Sequence, residues 1–228
     1  MKKQEINRRR EFLGTIAAGA VTMGMLAVPS PIKAAPSLIS QPGNDLEDWF
    51  NELKGKHKMV FDAPHPNGLF PFAWPKVFLM TNEMTGTPAN ENNAVVVLRH
   101  DAIAYAFKDE LWAKYNFGEF FKAEDPLTKK PATRNPFSNP KPGDYKVPGI
   151  GPVQIGINEL QAAGVKFCVC EVAMTVNSNV MAEKIKKDAA EIRKDWMAGL
   201  LPGVQPVPSG VWAVGRAQEH GCAYCFAG

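Results

Sequence analysis

The run Ala94-Val95-Val96-Val97-Leu98 is apolar at every position, so both of its faces need covering. That pattern belongs to a strand inside a parallel sheet with helices packed on each side, and it excludes a half-solvated antiparallel hairpin. A second run, Gly164-Val165-Lys166-Phe167-Cys168-Val169-Cys170-Glu171, opens at a glycine and is rich in β-formers. Period-two alternation sets Cys168 and Cys170 on one face, with Cys170 at the carboxyl tip. Further strands are expected at 58–62, 203–207 and 222–226, with helical segments between them. Strand and helix alternate five times, so the expected fold is a three-layer α/β/α domain with a mainly parallel five-stranded sheet.

Helical spacing and capping residues predict helices over 45–53, 71–84, 102–114, 154–163, 177–199 and 211–219. In the second of these, Trp74, Val77, Phe78 and Met84 are expected to face the core. Asn177-Ser178-Asn179 is expected to cap the fifth, whose stripe is Met181, Ile185, Ala189, Ile192 and Trp196; Ser209 caps the sixth. The aromatics of 112–121 are expected in core and rim packing. Seven of the nineteen prolines fall in 126–152. A segment that long without regular structure is an inserted excursion from one domain, of the kind that docks a partner or moves.

The amino terminus carries an address. Lys2, Lys3 and Arg8-Arg9-Arg10 precede a weakly apolar stretch and the small residues Ala34-Ala35, and Arg9-Arg10-Glu11-Phe12-Leu13 resembles the twin-arginine export motif. The apolar stretch is shorter than the roughly 20 residues a span needs, so no permanent membrane span is expected in the mature form. The chain divides into a signal and cleavage region (1–35), a linker with a short helix (36–56) and one α/β domain (57–228). Six of the 26 basic and two of the 23 acidic side chains lie in 1–34, leaving 20 against 21. A near-neutral mature chain gives no case for nucleic-acid binding. The expected location is the periplasm or beyond, an oxidising place where four cysteines cannot be presumed free.

In a parallel sheet, ligands sit at the carboxyl ends of the strands. Those ends are expected to hold Asp62 and His65, His100 and Asp101, Cys170 and Glu171, and Ser209 with Gly210, with Cys225 near the fifth. A helix amino terminus and His100 would favour a thiolate at Cys170, able to accept or pass sulfur or electrons, whereas Cys168 is expected to be a core thiol. Cys222-Ala223-Tyr224-Cys225 has the spacing of a redox or metal pair but sits in a strand, where its thiols point to opposite faces. A Cys170–Cys225 bond is open if their strands are neighbours. The main alternative is a metal site, since thiolates with His100 or His65 suit copper(I) or zinc. His220 is expected to cap a helix carboxyl end and His57 to be solvated. The chain has no CxxCH for haem, no P-loop and no GxGxxG.

The strand ending in His100, the run 160–170, then Val207-Pro208-Ser209-Gly210-Val211 and Ala217-Gln218-Glu219-His220-Gly221-Cys222-Ala223-Tyr224 together resemble the DsrE/DsrF sulfur-relay family. The resemblance covers roughly residues 95–226 apart from the proline-rich segment, and is closer to the exported branch. It implies an α/β/α fold, trimers or hexamers, a cysteine at Cys170 that carries sulfur as a persulfide, and a histidine at His100. Cys168, Cys222, Cys225, the insertion and the export signal depart from the family pattern. The expected function is therefore sulfur binding or relay by an exported homo-oligomer. Cys170 carries the sulfur, His100 is its base or hydrogen-bond partner, and the Ser209-Gly210 helix start holds an anion, with His65 and Cys225 at the same edge. A copper or zinc carrier, and a structural module docking a partner through 126–152, are the alternatives.

Overall fold

The computed structural model describes residues 44–228; the expected signal and cleavage region lies outside the described residues. Five strands, β1 (His57–Ala63), β2 (Asn92–Leu98), β5 (Val165–Cys170), β6 (Val204–Val207) and β7 (Ala223–Phe226), form one sheet in the order β6-β5-β2-β1-β7. Every neighbouring pair in it is parallel. β2 is central, and its residues Ala94 to Leu98 are fully buried, as a strand apolar on both faces requires. β6 carries Pro206 and lies at an edge, where the missing N–H breaks no ladder.

Two apolar layers cover the sheet. On one face pack α1 (Asn44–Asn51), through Phe50, and α8 (Gly210–Glu219), through Ala213 and Ala217, against Val60, Val95, Val97 and Cys168. The other face meets α2 (Phe70–Met84), α3 (Asp109–Tyr115), α4 (Phe117–Phe120), α5 (Ile157–Ala162), α6 (Glu171–Ile185) and α7 (Ala189–Ala198). The connections β1–β2, β2–β5 and β5–β6 all cross on this second face, and the β6–β7 connection crosses on the first. The chain moves one way across the sheet and then reverses, so right-handed crossovers must change face. His220 ends α8 as its carboxyl cap, stacks on Phe50 and meets Glu47 at 3.0 Å, holding α1 to α8.

Several local expectations are corrected. The helix expected over 102–114 is a 3₁₀ turn (His100–Ala106) followed by α3. Carbonyls that a continuous helix would use are taken by tertiary donors: Leu201 N–H bonds Ala106 O at 2.8 Å, and Asn135 Nδ2 bonds Tyr105 O and Phe107 O at 2.8 and 2.9 Å. The helix expected over 177–199 starts at Glu171 and breaks at Lys186, which sits at φ 54°, before Asp188 caps α7. Asn177 and Asn179 do not cap; their Nδ2 atoms donate to Ala173 O and Thr175 O inside α6. In α2 the core face is Phe72, Pro75 and Leu79, while Trp74, Val77 and Met84 are exposed. β3 (Lys146–Val147) and β4 (Gly151–Pro152) form a two-stranded antiparallel ribbon in the proline-rich segment.

That segment is pinned by its own side chains. Phe137 is fully buried and stacks on Phe72 at 4.0 Å, and the aromatics of 112–121 close around Trp196. Asn135, also fully buried, joins the two carbonyls of residues 105 and 107 and accepts from Phe137 N–H at 3.1 Å. Replacing Asn135 by Ala strands three buried backbone groups, so urea denaturation should show a loss of about 3 kcal/mol; a loss below about 1 kcal/mol would contradict this anchoring role.

Candidate functional site

A strand tip becomes a site when the following loop leaves room beside it. β5 continues into α6 on one face and β6 into α8 on the other, so the switch-point crevice of a parallel sheet falls between their carboxyl ends. Cys170 and Ser209 stand at its two lips. Cys170 is the amino-terminal cap of α6: its Sγ accepts the Ala173 N–H at 3.3 Å. Ser209 caps α8, accepting the Trp212 N–H at 3.1 Å through Oγ. Val172 N–H donates to Pro208 O at 3.3 Å and ties the two helix starts together.

The helix start at Cys170 also moves its side chain. Cys168 is fully buried on the face covered by α1 and α8, but Cys170 packs with the opposite core cluster and keeps 6% of its surface exposed. The common face expected from alternation is lost because the backbone leaves the strand at Cys170 to enter α6. Glu171, in the first turn, pairs with Arg193 at 2.9 Å.

Arg99 is the charged residue that sequence reasoning passed over. Following β2, it forks onto Asp62 at the end of β1, with Nε to Oδ1 at 2.6 Å and a terminal nitrogen to Oδ2 at 2.9 Å. Tyr224 of β7 donates its hydroxyl to the same Oδ2 at 3.0 Å. Three strand ends are thus joined through a carboxylate that is almost fully buried. The hydrogen bonds to Asp62 raise the Arg99 pKa above its usual value, against the opposing effect of burial. Leu98 pairs in register with Val169, so Arg99 and Cys170 follow at the tips of neighbouring strands. A methyl group built on Gly210 would sit 2.5 Å from Arg99 Cβ, so Gly210 makes space for this arginine at the crevice. The signal available in sequence was an acidic and a basic residue, Asp62 and Arg99, each closing an apolar strand run; that the two strands are neighbours comes from the structure.

The histidines stand further along the same edge. His65, after β1, and His100, after β2, both bring Nδ1 to Asp101, at 3.3 and 3.1 Å, and are half exposed. The hydrogen-bond partner of Cys170 is the Ala173 N–H, not His100. Cys225 lies in β7, three strand spacings or about 14 Å from β5, beyond the reach of a disulfide to Cys170. All four cysteines are free. The group that resembles a metal-ligand set among the described residues is His65, His100 and Asp101, and it contains no cysteine. A cavity of about 370 Å³ under the proline-rich segment, lined by Lys76, Tyr145 and Glu159, holds no thiol or imidazole.

No family model, curated protein or solved structure matches the chain. Among the described residues no helix is long and apolar enough to cross a membrane.

Burial raises the Cys168 thiol far above its ordinary range and the Cys222 thiol to about 11, Lys58 acting weakly the other way on the latter. At pH 8 the native protein should therefore leave Cys168 and Cys222 unlabelled by iodoacetamide, with Cys222 becoming reactive only as pH approaches 11. Peptide mass spectrometry checks this, and rapid labelling of either residue at pH 8 would contradict the packing described.

Proposed function

We propose that the chain is an exported, DsrE-like homo-oligomeric protein whose Cys170 accepts and passes sulfur as a persulfide. The observation that carries this reading is the place of Cys170, a helix cap at the point where the sheet's connections diverge. An anionic sulfur there faces the positive end of α6 and receives its Ala173 N–H. Arg99 supplies fixed positive charge nearby while its bonds to Asp62 hold it in place. The Ser209 helix start at the other lip offers a second amino terminus to an anionic donor.

In the transfer step the Cys170 thiolate attacks the outer sulfur of a donor persulfide, R–S–SH. The donor's S–S bond breaks as the new one forms, and R–S⁻ leaves with the electron pair and takes up a proton. Cys170 keeps the terminal sulfur as –S–SH. Atoms and electrons balance with no external oxidant. A chemically free thiol at Cys170 is what such an acceptor requires, and its distance from Cys225 keeps the two from closing into a disulfide. His100 is bonded to Asp101, and the contact that Cys170 Sγ makes is with the Ala173 N–H at the start of α6.

Incubating the purified protein with a persulfide donor should add one sulfur atom to the peptide containing Cys170, seen by intact and peptide mass spectrometry. Cys170→Ser should abolish that addition while leaving the circular dichroism spectrum unchanged. Equal loading of the serine variant, or loading confined to Cys225, would overturn the assignment.

A further inference from the structure

We propose that His65, His100 and Asp101 form a solvent-open binding site for a divalent first-row transition metal, separate from Cys170. The three donors come from two loops: His65 from the one after β1, and His100 with Asp101 from the one after β2. His65 Nδ1 and His100 Nδ1 lie 3.3 and 3.1 Å from the two oxygens of Asp101, and the three ligand atoms all lie within 4.8 Å of one another. Two ligands on one ion, each bonded at about 2.1 Å, stand roughly 3.0–3.4 Å apart, so small side-chain rotations bring all three onto a common centre. The two imidazole rings meet edge-on, with centroids 4.8 Å apart and planes at 69°.

Backbone bonds add to these side-chain contacts. Arg99 N–H donates to Ala63 O at 3.1 Å, and Asp101 and Ala102 N–H both donate to Pro64 O, at 3.0 and 3.2 Å. These stitch the two loops together whether or not an ion is bound. His100 is held at φ 50°, a conformation that side-chain-bearing residues seldom adopt. Two imidazoles and one carboxylate make a facial set without sulfur, which suits zinc, cobalt, nickel, iron(II) or copper(II) over copper(I). His65 and His100 are 53% and 61% exposed, so the remaining coordination positions face water and an exchangeable ion or small ligand can reach them.

The test uses the purified metal-free full chain, titrated with cobalt(II) by visible absorption and with zinc(II) by calorimetry. One equivalent should bind, giving the weak bands of nitrogen and oxygen ligation with no sulfur-to-cobalt charge transfer. His65→Ala and His100→Ala should each weaken binding at least tenfold with unchanged circular dichroism, since both side chains lie at the surface; Asp101→Asn is the second measurement if either unfolds. His220→Ala, on the far helix pair, and Cys170→Ser should leave binding intact. Absence of saturable binding, binding that survives loss of both histidines, or a sulfur charge-transfer band lost in Cys170→Ser would each overturn the proposal. Sulfur loading of Cys170 is read separately by mass, so neither result decides the other.

Discussion

Parallel strands cannot be joined by a short turn, and that constraint arranges the rest of this molecule. β2, sealed on both faces, must be entered and left by crossovers that return to the opposite end of the sheet. Every chemically active residue that follows a strand is therefore delivered to one edge. Where the chain reverses its direction of travel, the crossovers must change face, and the switch point between β5 and β6 is the consequence. Cys170 stands at that switch point because it ends β5 and caps α6 at once.

The edge is held by one buried carboxylate. Asp62 takes the Arg99 fork and the Tyr224 hydroxyl, so β1, β2 and β7 are locked at their tips. A buried pair of this kind adds little net stability, but breaking it leaves an uncompensated charge. Its use here is positional: it fixes Arg99 at the tip of β2, the strand beside β5, while Gly210 leaves the space that the arginine occupies.

The sheet, its parallel sense and its five strands were legible because apolar runs such as 94–98 have a meaning independent of context. Ser209 was legible as a cap for a similar reason: a side chain that accepts the third N–H on is a local device. What failed depended on partners remote in sequence. The break after Ala106 is imposed by Leu201 and Asn135, and the start of α6 at Glu171 was hidden by Glu171 having been read as the end of the strand and by Asn177, which read as a cap. In α2 a band of apolar residues runs round the helix, so spacing alone did not choose Phe72 and Leu79 over Trp74 and Val77. Of the site, Cys170 and the histidines were named from strand ends alone. Arg99 was missed because its role depends on strand order, and His65, His100 and Asp101 fall together only because β1 and β2 are neighbours.

The central claim is that the start of α6, where Cys170 caps the helix, attracts an anionic reactant to that thiol. Its most direct test compares alkylation of Cys170 by anionic iodoacetate and neutral iodoacetamide, in the native protein and in the same chain unfolded in urea. The account predicts that folding raises the iodoacetate-to-iodoacetamide rate ratio at Cys170 several-fold, because the α6 amino terminus and Arg99 draw the anion in. A ratio unchanged by folding, or a native Cys170 inert to both reagents, would contradict it.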